Sequence, residues 1–204
     1  GRKMHTLYLG VNNAFFHPLP SPQKDHILVF FYGKYIPLQG VPKIVEAARL
    51  LADEPSIRFR FLGSGQDSEK VKALVARYGL RTVEFVGRVP FAELNASMAD
   101  ADIVLGIFGD TAKSSRVIPN KVYDGLAAKR AVITMQSPAI RELFSDDDLL
   151  LVKNDPRSMA EGIRLLAHDA KKRAEFAEHG YRTVRKHFPS SVAASLVRVL
   201  SRVS

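Results

Sequence analysis

Ile27-Leu28-Val29-Phe30-Phe31 runs into Gly33-Lys34-Tyr35-Ile36-Pro37-Leu38-Gln39-Gly40, and Val41, Ile44, Val45, Ala48 and Leu51 follow at helical spacing. This stretch decides the fold. An uninterrupted apolar strand is expected where both faces of a sheet are covered. A glycine-bracketed turn leading into an amphipathic helix then makes the first half of a βαβ unit. The same pattern repeats outward. Ile57, Phe59 and Phe61 alternate with Arg58 and Arg60, which predicts a half-exposed strand. Val71, Leu74, Val75 and Tyr78 mark a helix face, and strands are predicted at Val83–Val86, Ile103–Leu105, Ala131–Thr134 and Leu149–Val152. Short helices are expected over Pro90–Ala99 and from Pro119 to Ala128, and three more near Pro156–His168, Lys171–Lys186 and Pro189–Arg202. Six strands alternating with helices predict an α/β fold, a parallel six-stranded sheet with right-handed crossovers.

The chain has 204 residues, of which 46% are hydrophobic. That suits one large domain, or one domain with extensions. There is no cysteine, which excludes disulfides, thiolate metal sites and a cysteine nucleophile. The six histidines form no short His-x-x-x-His pair, so no metal site is expected. No run approaches the ~18 apolar residues of a membrane span, and the start at Gly1-Arg2-Lys3-Met4 lacks a signal-peptide stretch. The bare Gly ahead of Met4 and a start inside an element suggest a fragment. Pro18, Pro20 and Pro22 predict an extended linker. Asn95-Ala96-Ser97 fits a glycosylation sequon but falls in a predicted helix, where it is read as chance.

Thirty basic against twenty-one acidic residues give a net charge of +9. Such a balance suits an anionic partner: a phosphorylated ligand, a membrane surface or nucleic acid; it also fits a solvated basic surface. The basic segments lack interleaved aromatics, which counts against nucleic acid.

In a parallel sheet, ligands bind beyond the carboxyl ends of the strands. The turn from Gly33 to Gly40 can present backbone N–H groups and a helix N-terminus to an anion, or serve as a plain structural turn. It is not a Walker loop. Gly63-Ser64-Gly65-Gln66 permits close approach of a ligand; with Ser68 where a third glycine would stand, NAD binding is not expected. Gly87-Arg88-Val89-Pro90 follows the third strand. Lys113, Arg116, Pro119, Asn120, Lys121 and Asp124 follow the fourth, and this mix of cations and one carboxylate points to a nucleotide diphosphate. Asp124 either balances charge within its helix or accepts hydrogen bonds from a ribose diol. Asp146-Asp147-Asp148 is read as a solvated turn.

In this order the segments resemble the C-terminal domain of GT-B fold glycosyltransferases of the group 1 family. Leu9-Gly10-Val11-Asn12-Asn13-Ala14-Phe15-Phe16-His17-Pro18 is similar to the family's interdomain segment. Gly33 to Gly40 resembles its Gly-Arg-x-x-x-x-Lys-Gly turn. Leu62-Gly63-Ser64-Gly65 and Phe85-Val86-Gly87-Arg88-Val89 resemble its next two signatures. Pro119-Asn120-Lys121-Val122-Tyr123-Asp124 resembles a Pro-Asn-Lys-x-x-Glu helix. The departures are Lys34 for the family arginine, Gln39 for its lysine, Arg116 for its first glutamate, Asp124 for the second, and Lys129-Arg130-Ala131 for its Gly-x-Pro.

The resemblance implies a Rossmann-like, doubly wound sheet with helices on both faces, the C-terminal half of a GT-B fold. The implied boundaries are a linker over 1–25, a nucleotide-sugar-binding domain over 26–188 and a crossover helix over 189–204. It implies a UDP- or GDP-sugar substrate, no cofactor, and retaining, metal-independent transfer to a glycan or lipid-linked acceptor. The implied donor-binding residues are Gly33, Lys34, Gln39, Gly63, Gly65, Arg88, Val89, Arg116, Asn120, Lys121, Val122 and Asp124. Catalytic residues of the N-terminal domain, an expected partner, are absent from this chain. A cytoplasmic site at the inner membrane face is expected, as part of cell-surface polysaccharide biosynthesis. A sugar-nucleotide epimerase and a non-catalytic nucleotide-binding module are the alternatives.

Overall fold

The computed structural model describes Tyr8 and residues 10–200. Residues 1–7, Leu9 and residues 201–204 lie outside it, and with them the head of the segment expected to be interdomain and the last residues of the expected crossover helix. Six parallel strands run β1 (Ile27–Tyr32), β2 (Ile57–Leu62), β3 (Val83–Val86), β4 (Ile103–Leu105), β5 (Ala131–Met135) and β6 (Leu150–Val152). Their order across the sheet is β3-β2-β1-β4-β5-β6. The direction of winding reverses between β1 and β4, which pair Val29 with Ile103 and Phe30 with Val104. A Rossmann-like sheet opens its crevice at such a switch point.

Alternation along each central strand feeds two cores. Val29 and Phe31, Ile103 and Leu105, and Ala131 and Ile133 pack on one face with helices α1 (Val41–Arg49), α2 (Ser68–Arg77) and α6 (Pro156–His168). Phe30, Val104 and Val132 point the other way. There they meet helices α3 (Leu94–Ala99) and α4 (Asn120–Ala127) and the end of α7 (Ala170–Val184). Val11 and Phe16 of the segment before β1 also enter this second core.

The predicted elements recur with local differences. A short helix α5 (Pro138–Arg141), begun by the Ser137 side chain accepting from the Ile140 N–H, has no counterpart in the sequence reading; four residues are too few to show a period. The helix expected over Pro90–Ala99 splits into a 3-10 turn at Phe91–Glu93 and then α3. The segment expected to end at Lys186 tightens after α7 into a 3-10 turn at Arg185–His187. The last helix, α8, spans Pro189–Leu200. Arg60 on β2 is half-buried rather than free: its Nε donates to Glu84 at 2.9 Å and its guanidinium reaches Asp100 at 3.2 Å. Asn95 of the sequon is buried, and its amide donates to the His17 carbonyl at 3.1 Å.

One expectation is overturned. Asp146-Asp147-Asp148 is not uniformly solvated, because Asp148 is buried. Its carboxylate accepts from the Ser145 N–H and hydroxyl, each at 2.8 Å, and from the Thr183 hydroxyl on α7 at 2.6 Å. Asp146 holds Arg141 at 3.0 Å.

Candidate donor site at the sheet switch point

β1 and β2 end together, with Tyr32 opposite Leu62 in register. Beyond them the backbone turns at Gly33, φ +138°, and at Gly63, φ +123°, conformations that L side chains rarely adopt. A Cβ at Gly63 would stand 2.1 Å from the Gly33 carbonyl oxygen, so the two loops touch backbone to backbone. Gly65 is pressed against the backbone of Tyr35 in the same way. The glycine positions thus bring the first two loops together beside the head of α4.

Lys121, on the first turn of α4, is only 4% exposed. Its ammonium donates to the Gln39 amide oxygen. It lies 4.1 Å from the centre of the Phe31 ring and 5.6 Å from that of Tyr32, within cation–π range. A Cβ placed on Gly33 would come within 3.1 Å of its Nζ. Burial pushes the ammonium down to about 7, against the opposing pull of Asp124.

One turn along α4, Asp124 is 7% exposed and accepts a hydrogen bond from the Tyr32 hydroxyl. Burial lifts its carboxyl to about 6, and the Tyr32 bond and the Lys121 charge oppose that rise. The Tyr32 phenol is pushed well up, by burial first and by the Asp124 charge next. Gly33, Gln39, Lys121 and Asp124 therefore form one polar cluster at the carboxyl ends of the strands. It offers a cation, a carboxylate and an amide around backbone that lacks a Cβ, a set able to meet phosphate oxygens and hydroxyl donors.

The other sequence-predicted residues fall around this centre. Lys34 and Arg88 are exposed, and the Arg88 Nε donates to the Ser64 hydroxyl at 3.1 Å beside Gly63 and Gly65. Val89 is half-buried against the second core. Asn120 is exposed at the first position of α4, and Arg116 is exposed in a turn whose N–H donates to the Lys113 carbonyl at 3.0 Å. The Val122 side chain is fully buried in the second core, and its N–H donates to the Pro119 carbonyl at 2.9 Å. Phe31 and Tyr32 were missed. Both stand in a strand that reads as core, and the hydroxyl of Tyr32 immediately before Gly33 was the available signal.

A cleft of about 360 Å³ adjoins these loops, lined by Pro37, Gly40, Lys43, Asp67, Gly109 and Asp110. A wider cleft of about 750 Å³ lies between α5 and α7 and holds none of the predicted site residues. Its Arg141 and Arg182 are tied to Asp146 and Glu178. Among the described residues no three His, Asp or Glu side chains gather as a metal-binding set. No helix among them is long and apolar enough to cross a membrane.

Residues 14–183 match the family described as glycosyl transferases group 1. WbjE of Pseudomonas aeruginosa, described as a probable glycosyltransferase, is 29% identical over 110 residues, covering 52% of this chain and 26% of its own. The chain spans less than half the length of the curated relatives it matches. Anabaena HepE, solved in complex with UDP and glucose, superposes with a TM-score of 0.81 at 17% identity, over 96% of this chain and 56% of its own. The C-terminal domain of the group 1 family protein LpcC from Francisella tularensis superposes with a TM-score of 0.72 at 23% identity, over 87% of this chain and 97% of that domain. At those identities the two structures speak for the fold, a GT-B half, while the match over residues 14–183 speaks for the family. The chain belongs to the group 1 glycosyl transferases.

Proposed function

We propose that this chain is the donor-binding half of a retaining, metal-independent glycosyltransferase, and that it holds the nucleoside diphosphate of a UDP- or GDP-sugar beyond β1, β2 and β4. The observation that carries this reading is the buried Lys121–Gln39 and Tyr32–Asp124 cluster set against the bare backbone of Gly33. A buried ammonium beside a glycine turn suits a diphosphate, and a carboxylate one turn away suits the hydroxyls of a ribose. Lys34 and Lys121 take the phosphates, with Arg88 and Arg116 at the rim, Asn120 beside them at the head of α4, and Asp124 takes the ribose. Cations aimed at the leaving diphosphate stabilise the charge that grows there during transfer. Gly63, Gly65 and the backbone at Val89 lie toward the base. HepE, of the same fold and solved in complex with UDP and glucose, supports a nucleotide as the ligand.

The rest of the enzyme supplies an N-terminal domain and the acceptor site. A glycan or lipid-linked acceptor at the inner membrane face suits the net charge of +9, which favours an anionic surface.

Calorimetric titration of the 204-residue chain with UDP, GDP and ADP tests the reading. One of them is expected to bind, with no transfer of sugar from the matching donor by this chain alone. Lys34→Ala, at an exposed position, is expected to weaken that binding by about ten- to hundredfold, the equivalent of a charge-assisted hydrogen bond. Failure of every nucleoside diphosphate to bind the folded chain would overturn it. Sugar transfer by the chain alone would overturn the assignment to half an enzyme.

A further inference from the structure

We propose that Tyr32 is a positioning residue for ribose recognition: its phenol, at the last position of β1, pins one oxygen of Asp124 on α4 and leaves the other oxygen for the diol. This inference rests on the nucleotide reading above and adds a residue that neither the motifs nor the family resemblance singled out.

An aspartate on a helix can turn its carboxylate freely unless something holds it. Here Oδ2 accepts the Tyr32 hydroxyl, and Oδ1 has no hydrogen-bond partner among the described residues. The phenol itself is fixed. Tyr32 is paired in the ladder with Leu62, and the next residue, Gly33, donates its N–H to the Leu62 carbonyl at 2.9 Å. Its ring packs 6.1 Å from that of Phe30, and the Lys121 ammonium lies over its face. A rigid strand therefore sets the orientation of a side chain on a separate helix.

The chemistry matches a diol. An ionised carboxylate only accepts, and a ribose offers two O–H donors. A group that reads hydroxyl donors must stay ionised, and the Tyr32 bond favours the ionised form against burial. Lys121, on the same helix, is the other titrating group that acts on Asp124. The elements packed against α4 meet it through Val104 and Val132 of β4 and β5, through Gly180 of α7 and through the His187 ring, 6.1 Å from that of Tyr123; of these only His187 titrates, and it is not among the groups that act on Asp124.

Tyr32→Phe keeps the ring and removes the bond. In ligand-free protein, carbon-detected NMR of the Asp124 carboxyl is expected to show its midpoint, about 6 in the wild type, moving up by about one pH unit. At neutral pH the preference for UDP over 2′-deoxy-UDP, or for GDP over 2′-deoxy-GDP, is expected to fall by about two- to tenfold. That preference should recover in part as pH rises and Asp124 ionises, since the charge returns while the pin does not, a pattern that a merely structural tyrosine would not produce. The preference is a ratio of two affinities, so the contribution of Lys121 to phosphate binding cancels from it, and its pull on Asp124 is common to wild type and variant, which are compared at each pH.

An unmoved Asp124 midpoint, or an unchanged ribose preference, overturns the role of Tyr32 and leaves the diphosphate reading standing. Equal binding of ribo- and deoxyribonucleotides by the wild type overturns it as well, again without touching the phosphate contacts. Absence of binding by any nucleoside diphosphate removes both readings.

Discussion

Lys121 and Asp124 are two buried ionisable side chains whose charged forms oppose the fold most at neutrality, a cost that titration relieves on either side. The Lys121 ammonium falls from 10.5 unfolded to about 7 folded. Between those values the unfolded chain holds the proton that the folded chain has released, so this residue makes stability rise with pH across that window. Asp124 behaves oppositely. Its folded value of about 6 lies above its ordinary 3.8, so the folded chain holds the extra proton and stability falls as pH rises between them. The pair contributes least near pH 6 to 7, where phosphate ligands have most to gain from the ammonium. Lys121→Met should abolish the rise on the alkaline side. Urea unfolding is expected to show the wild type gaining about 2 kcal/mol more than the variant between about pH 7.5 and 9, at about 1.4 kcal/mol per unit for one proton. Parallel pH curves for the two proteins would mean that Lys121 titrates as a solvated lysine. Both residues were legible in the sequence because they open a helix after a strand. Tyr32 and Phe31 were not, because a strand residue shows its partner only when the register and the helix position are known.

At the scale of elements, the glycine turns were readable and the polar anchors were not. Gly33 and Gly63 follow apolar strands in the sequence, and the structure uses both for backbone contact between loops. The Asp146–Asp148 run gives no comparable signal: three successive carboxylates have no period, and which one is buried depends on where α7 crosses. Asp148 joins the segment before β6 to α7 through Ser145 and Thr183, while a Cβ at Gly180 would stand 2.4 Å from the Asp148 carbonyl oxygen. Asp148→Ala should therefore cost about 2–3 kcal/mol, since it strands the Ser145 N–H and loosens the helix. Asp147→Ala, at the exposed neighbour, should stay within about 0.5 kcal/mol. Denaturant midpoints at unchanged slope would record the contrast. Equal small losses at both positions would show that the α7 contact is made by packing alone.

For the molecule as a whole, six strands and their parallel direction were legible from apolar runs alternating with helical patterns. The strand order was not written in any one run, because it depends on which faces the crossover helices cover. The same logic separates the terminal helix from the rest. The two buried clusters draw on strands β1 to β6 and helices α1 to α7, and among the described residues no side chain of α8 belongs to either. α8 carries no acidic residue and exposes Leu196 at 44% and Val197 at 64%. It follows Phe188, whose carbonyl accepts from the Val192 N–H at 3.0 Å, and it adjoins the 3-10 turn at Arg185–His187. Removing residues 189–204 thus takes away the exposed apolar area at Leu196 and Val197 and leaves every described residue of both cores in place. For a chain of this size one kcal/mol corresponds to about 2–4 °C in Tm, so the truncated chain should melt cooperatively within about 3 °C of the parent. Sedimentation should show weaker self-association, because adjacent exposed apolar side chains favour contact between molecules. A loss of cooperativity, or a much larger fall in Tm, would mean that α8 completes the second core rather than standing on its surface.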